Sequence, residues 1–249
     1  MSFFDPAKFT EEAVQSLKKE LTDKAIIAAS GGVDSTVAAA LASKAVGDKL
    51  LAIYVDTGYM RLGESAFVSS MLEDLGVQHQ VVDASERFYN GLKGIIDPEE
   101  KRKIIGEQFI RVFEDEASKY GGKFLIQGTI APDWIESGGG MRDTIKSHHN
   151  VGGLPEDMEM ALCEPIRELY KDEVRSLAEF LAVPVSHRQP FPGPGLAVRV
   201  IGEATPERTE IVRQACHIVE EELELAAKAG QMEIPWQYFA VLMLSLIHI

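Results

Sequence analysis

The run AIIAASGGVDSTVAAALASKAV, residues 25–46, sets a strand, a glycine turn and a helix end to end. AIIAA (25–29) is a short apolar run suited to a buried strand. SGG (30–32) breaks it, and VDSTVAAALASKAV (33–46) reads as an Ala-rich helix. Downstream the alternation continues. LLAIYVD (50–56), VQHQVVDAS (77–85) and KFLIQGT (123–129) read as strands. GESAFVSSMLEDLG (63–76) and residues 98–120 read as helices, the second opening at Pro98 and stopping before Gly121-Gly122. Upstream, residues 5–22 form a helix with Asp5 as cap, Pro6 in the first turn, and Phe9, Ala13, Val14 and Leu17 on one face. Strands alternating with helices predict an α/β fold, a parallel twisted sheet with helices on both faces. Ligands of such sheets bind beyond the carboxyl ends of the strands. Ser30, Asp56 and Gln127-Gly128-Thr129 all follow predicted strands and so fall on one rim.

Residues 136–163 read as a long polar loop, a length that is uncommon without a function. Val174, Leu177, Ala178 and Leu181 mark a helix face closed by Pro184. PFPGPG (190–195) is a rigid connector. Thr205-Pro206 opens a last helix, with Ile211, Ala215, Ile218, Val219 and Leu223 expected on one side. A domain boundary is expected near residue 190.

Composition bounds the function. The 249 residues carry 39 carboxylates against 25 Lys plus Arg, a net charge of −14. That balance disfavours nucleic acid as a partner, because phosphate-backbone binding needs clustered cations. No apolar run approaches the ~18 residues of a membrane span, and the N-terminus lacks a secretory pattern. Cys163 and Cys216 are the only cysteines, so no disulfide framework exists, and a cytoplasmic location is expected. Both are expected to pack as small apolar groups, and Trp134 and Trp236 as packing anchors. His148 and His149 are adjacent and lack neighbours at metal-ligand spacing, which disfavours a zinc site.

SGGVDST (30–36) carries the chemistry. Gly31 and Gly32 let an anion approach the backbone, and the first helical N–H groups face it. Ser30, Ser35 and Thr36 add hydroxyls. Asp34 is the odd member beside a phosphate, unless a bound Mg²⁺ lies between them. No Lys follows the glycines, so this is not the Walker pattern. A Ser-capped glycine turn before an Ala-rich helix would use the same residues.

The string SGGVDS resembles the pyrophosphate loop of the N-type ATP pyrophosphatases, which cleave ATP between the α and β phosphates to adenylate a substrate oxygen. VDTGYMR (55–61), DPEEKRKIIGEQFIRVF (97–113), QGTIAPDWIES (127–137), IKSHHNVGGLP (145–155), EPIRELYKDEVR (164–175) and RQPFPGPGLAVRVIGE (188–203) resemble the synthetase portion of the GMP synthases. The similarity runs from about residue 8 to 243. It implies an adenine nucleotide α-hydrolase-like fold and the ligase reaction of that family. XMP would be adenylated by ATP with loss of pyrophosphate, and ammonia would then displace AMP to give GMP.

The resemblance also assigns residues. Ser30, Gly31, Gly32, Val33, Asp34, Ser35 and Thr36 fall in the ATP loop, with Asp34 as the Mg²⁺ candidate. Val55 and Gly128 fall where the family holds adenosine, and Arg61 on the nucleotide side. Arg102, Pro192, Gly193 and Gly195 fall at the XMP site. Asp133, Glu136 and Lys146 are the catalytic candidates, Lys146 on a loop that could close over the triphosphate. Each has a plainer alternative: a surface Arg for Arg61, a charged helix face for Arg102, helix-start carboxylates for Asp133 and Glu136, a solvated loop Lys for Lys146, and a structural linker for PFPGPG. Gln189 stands where many members have His, as in the separate-subunit forms.

Neither Cys stands in a glutaminase context, so the resemblance implies a separate glutaminase subunit as ammonia source. It further implies a homodimer for the full-length parent and Mg²⁺ with ATP as cofactor. The expected division is 1–189 for the ATP-pyrophosphatase domain and 190–243 for the start of a smaller α+β dimerisation domain. Residues 244–249, LSLIHI, do not resemble the family and are expected to be a non-native tail. On that reading the chain binds ATP but turns over poorly. A nucleotide-binding module without turnover, or another ligase such as NAD synthetase, are the alternatives. NAD synthetase leaves IKSHHN and PFPGPGL unexplained.

Overall fold

The computed structural model describes residues 4–136, 160–184, 189 and 191–243. Asp5 accepts from the N–H groups of Ala7 and Lys8, and α1 (Pro6–Glu20) starts there. β1 (Ala25–Ala28) leads through the glycine turn into α2 (Val33–Val46). β2 (Leu50–Asp56), α3 (Glu64–Asp74) and β3 (His79–Asp83) follow. α4 (Ser85–Gly91) was not foreseen, and α5 (Pro98–Tyr120) matches the expected long helix. β4 (Phe124–Ile126) precedes α6 (Ala131–Glu136). β5 (Ala161–Cys163), α7 (Lys171–Phe180) and α8 (Pro206–Lys228) complete the strands and α-helices among the described residues.

The five strands run β3-β2-β1-β4-β5 in one parallel sheet with helices on both sides. β1 lies at the centre, Ala25 pairing with Leu50 on one side and Phe124 on the other. β4 pairs with β5, Phe124 opposite Ala161. The expected loop over 136–163 therefore gives way at its end to a strand. ALC has three residues, too few for any period to show, and Cys163 is buried against the sheet. Strand order reverses between β1 and β4, and this places the turn after β1 and the Gln127–Thr129 segment after β4 at the switch point of the sheet.

The chain divides into two compact units. Unit 1 comprises the described residues of Met1–Val55, Ser65–Val82 and Ile110–Arg188. Within it α1, α2 and α7 pack together. Every residue of α2 from Thr36 to Ala42 is buried, and small side chains allow that. Unit 2 comprises Asp56–Glu64, Asp83–Phe109 and the described residues of Gln189–Ile249.

Unit 2 corrects two expectations. α8 buries Thr209, Val212 and Cys216, whereas Ile211 and Ile218 are more than half exposed. The core takes the face with a small Thr and Cys at its ends, not the face with the largest apolar groups. Trp236 is 80% exposed, so it does not serve as a packing anchor among the described residues. Both cysteines are buried. The expected tail 244–249 and His148 and His149 lie outside the described residues. Among the described residues no helix is long and apolar enough to cross a membrane.

Candidate active site

Unit 1 builds an anion-ready turn. Gly31 takes a positive φ of 71°, which frees the backbone to turn from β1 into α2. Gly32 is the N-cap and has no side chain to offer, so no side chain caps the helix. The first-turn N–H groups of Val33, Asp34 and Ser35 precede the first i→i−4 bond. Hydroxyls brace the turn from within: Ser30 Oγ and Ser35 Oγ are 2.9 Å apart, and Thr36 Oγ1 donates to the Gly32 carbonyl at 2.7 Å. Ser30 itself is exposed, and Thr36 is buried.

Gly128 sits over this first turn. A Cβ there would lie 2.7 Å from both the Asp34 carbonyl carbon and the Ser35 nitrogen. Only glycine lets the segment after β4 approach α2 so closely. Val55 is buried in β2. These residues of the sequence reading are thus brought together in unit 1 at the strand ends.

One residue of this cluster escaped the sequence reading. Lys171, the first residue of α7, places Nζ 2.6 and 2.8 Å from the two carboxylate oxygens of Asp34. α7 starts there because the Tyr170 N–H is taken by the Glu173 carboxylate at 2.8 Å. Lys171 and Asp34 are both part-exposed, with side-chain exposures of 43% and 28%. Lys171 lies in the quoted EPIRELYKDEVR string, but a Lys opening a helix carries no local sign of a partner 137 residues away.

Asp133 accepts from the Ile130 N–H at 2.9 Å and so braces the start of α6, which is the plainer of the two readings given to it. The side chain of Glu136 and all of Lys146 lie outside the described residues.

The remaining candidates fall in unit 2. Arg61 has a side chain only 8% exposed. Its guanidinium stacks 4.5 Å from the Phe191 ring, donates to the Gln189 carbonyl at 3.1 Å, and lies 3.6 Å from Glu220. The surface-Arg alternative is therefore overturned, and Arg61 keeps company with the PFPGPG stretch. Arg199, 4% exposed, stacks between Phe191 and Phe239. Arg102 is exposed on α5 and pairs with Glu99. Pro192 accepts from the Gly195 N–H at 2.8 Å, closing a turn. Gly193 is exposed, and Gly195 is buried with a φ of 63°. A Cβ on Gly195 would overlap the Tyr59 carbonyl oxygen, which accepts from the Leu196 N–H at 2.7 Å. The VDTGYMR and PFPGPG strings are thus two halves of one packed loop pair. Burial pushes the Tyr59 hydroxyl pKa far up, and that hydroxyl donates to the Ala204 carbonyl at 3.0 Å.

Among the described residues no group of three or more His, Cys, Asp or Glu side chains could hold a metal ion by itself. Asp34 fits an ion that arrives with phosphates, because Mg²⁺ takes one or two carboxylates and draws its other ligands from phosphate and water.

Comparison with known proteins narrows the reading. The NAD synthase family matches residues 7–106. Among solved structures, NMN synthetase from Francisella tularensis is similar with a TM-score of 0.59 at 17% identity, over 94% of this chain and 90% of that one. NH3-dependent NAD synthetase from Campylobacter jejuni gives 0.55 at 18%, over 72% and 74%. At such identities the likeness establishes the fold, which is adenine nucleotide α-hydrolase-like. Sequence relatives are far closer. One of the subunits of the glutamine-hydrolyzing GMP synthase of Methanopyrus kandleri is 56% identical over 244 residues, 96% of this chain and 76% of that protein. Its counterpart in Thermococcus kodakarensis is 59% identical over 239 residues, 94% and 75%. With more than half of the residues identical across nearly the whole chain, the chain belongs to the family of these GMP synthase subunits, a family of ligases.

Proposed function

We propose that the chain carries out the ATP-dependent amination of XMP to GMP through an adenylyl-XMP intermediate, with AMP and pyrophosphate as products. The observation that carries this is the uncapped first turn of α2 beneath Gly128, with Lys171 beside it. The N–H groups of Val33, Asp34 and Ser35 and the hydroxyl of Ser30 suit the pyrophosphate of ATP. Gly128 and Val55 suit its adenosine. Asp34 would hold Mg²⁺ with ATP, and the ion, when bound, neutralises phosphate charge. Lys171 is placed to pair with Asp34 when no ligand is bound and to turn to a phosphate oxygen when one is.

Arg102, Pro192, Gly193 and Gly195 suit XMP, and Arg61, stacked on Phe191, suits the nucleotide side. An oxo group leaves poorly and AMP leaves well, which is why the oxygen is adenylated before ammonia attacks. The protein's task is alignment, charge neutralisation and exclusion of water. Asp133, Glu136 and Lys146 remain the candidates for handling the reacting groups. Ammonia would come from a separate glutaminase subunit, in the cytoplasm, and the protein would act as a homodimer. Residues 1–189 would form the ATP-pyrophosphatase domain and 190–243 the start of the dimerisation domain.

The test is product formation from ATP, Mg²⁺, XMP and ammonium, with deamido-NAD and no-acceptor controls. XMP-dependent AMP with equal GMP is expected. AMP formed with deamido-NAD and not with XMP would overturn the reading.

A further inference from the structure

Lys101 is a lysine with 1% exposure in the first turn of α5. Its ammonium donates to the carbonyls of Ala197, Val200 and Gly202, at 3.1, 2.8 and 2.5 Å. An ammonium has three N–H groups, and here each meets a backbone oxygen. Among the described residues no carboxylate pairs with it. Burying a cation this way is costly unless every donor is satisfied. Accordingly, burial holds its pKa below the ordinary lysine value.

The three carbonyls belong to one short segment. Gly195–Arg199 forms a 3-10 turn directly after the PFPGPG stretch, and Val200 to Gly202 leave it. Gly202 takes a φ of 97°, which turns its carbonyl inward at the end of that segment. A 3-10 turn leaves carbonyls unsatisfied at its end. Lys101 supplies donors to that end from another element. On the same helical turn, Arg102 is exposed. Two neighbouring residues of KRKIIG thus do different work: one points outward, and one reaches back into the loop that begins at Pro192.

We propose that Lys101 is a positioning residue for the XMP site: its ammonium pins the segment after PFPGPG to the helix that carries Arg102. This rests on the substrate reading above. Lys101 touches no ligand on this account. It fixes the spacing between the two groups of residues that do, and a displacement of about 1 Å in such a site costs up to about 100-fold.

The experiment pairs Lys101→Met with Arg102→Gln, in the chain as it stands, by calorimetric titration of XMP and of ATP and by amide hydrogen exchange. Lys101→Met keeps the aliphatic stem and removes the donors. It is expected to weaken XMP binding by about 10- to 100-fold, to leave ATP affinity within about twofold, and to speed exchange at Leu196 and Val200. Arg102→Gln is expected to weaken XMP without changing that exchange. Equal loss of XMP and ATP affinity, or unchanged exchange at Leu196 and Val200, would overturn the proposal. Should Lys101→Met not fold, Lys101→Arg, which keeps the charge but not the three-way fit, is expected to show the same split. A wild-type chain giving no heat with XMP would overturn the substrate reading and the XMP half of this proposal with it, while exchange still decides whether Lys101 pins the segment.

Discussion

The two units use polar groups in opposite ways. In unit 1 the turn after β1 keeps donors at its surface. α2 begins without a side-chain cap, Ser30 is exposed, and the Lys171–Asp34 pair stands part-open to solvent. In unit 2 the buried cations are spent on the protein itself. Lys101 holds three carbonyls, Arg213 donates to the carbonyls of Gly58 and Met60, and Arg61 and Arg199 stack on Phe191. On the proposed reading phosphate would be met by backbone N–H groups that any helix start provides, so unit 1 would need few special side chains. The PFPGPG loop closes one turn of its own, Gly195 N–H to the Pro192 carbonyl, and the segment after it borrows donors from Lys101.

Substitutions that break this contrast rank by how rigid the disturbed atom is. Gly195→Ala is expected to be the most damaging, because it sets a Cβ on the Tyr59 carbonyl in a conformation with φ of 63°. Both partners are backbone and cannot step aside. A loss of about 3 kcal/mol, or roughly 10 °C in Tm, is expected by thermal melting. Gly128→Ala should come next. Its Cβ meets the backbone of Asp34 and Ser35 at 2.7 Å, so the anion turn must shift. ATP affinity is expected to fall roughly 100-fold by calorimetry, with a smaller change in Tm than for Gly195→Ala.

Lys171→Ala tests the open pair. Solvent screens the Lys171–Asp34 attraction, so stability should change by less than about 1 kcal/mol. If Lys171 turns to a phosphate as proposed, ATP affinity should nevertheless fall about tenfold. A large drop in Tm with unchanged ATP affinity would show the pair to be structural, and unit 1 would then resemble unit 2. The smallest effect concerns Cys163, whose thiol pKa burial pushes up to about 12. A raised thiol pKa means that the neutral form persists below that value. At pH 8 the folded chain should therefore leave Cys163 unlabelled by iodoacetamide, and labelling should appear only on denaturation.

Much of the fold could be read because the deciding signals are local. AIIAA, LLAIYVD and the Gly stops around 98–120 each announce themselves within one element, and α2, β2 and α5 stand where they were expected. What could not be read depends on distance. Three residues of β5 owe their extended form to pairing with β4. α8 presents Val212 and Cys216 to the core because of what they meet, although Ile211 and Ile218 are the more apolar pair. The glycine turn from β1 into α2 was legible in SGGVDS. Lys171 was not, since its meaning lies in Asp34. Arg61 stood in a quoted motif, yet its partners Phe191, Gln189 and Glu220 lie more than a hundred residues away in the chain.

The complete burial of Thr36 to Ala42 carries a consequence for how this gene can drift. A helix with a wet side can change every third or fourth residue freely, as α7 can, with only Val174, Leu177 and Ala178 fully inside. α2 has no such side over that stretch. Its alanines are held to their size from all directions, so a map of tolerated substitutions should lose its helical rhythm there and show a flat band of intolerance. The segment directly behind the anion turn would then look invariant for reasons of space alone, and its constancy should not be mistaken for chemistry.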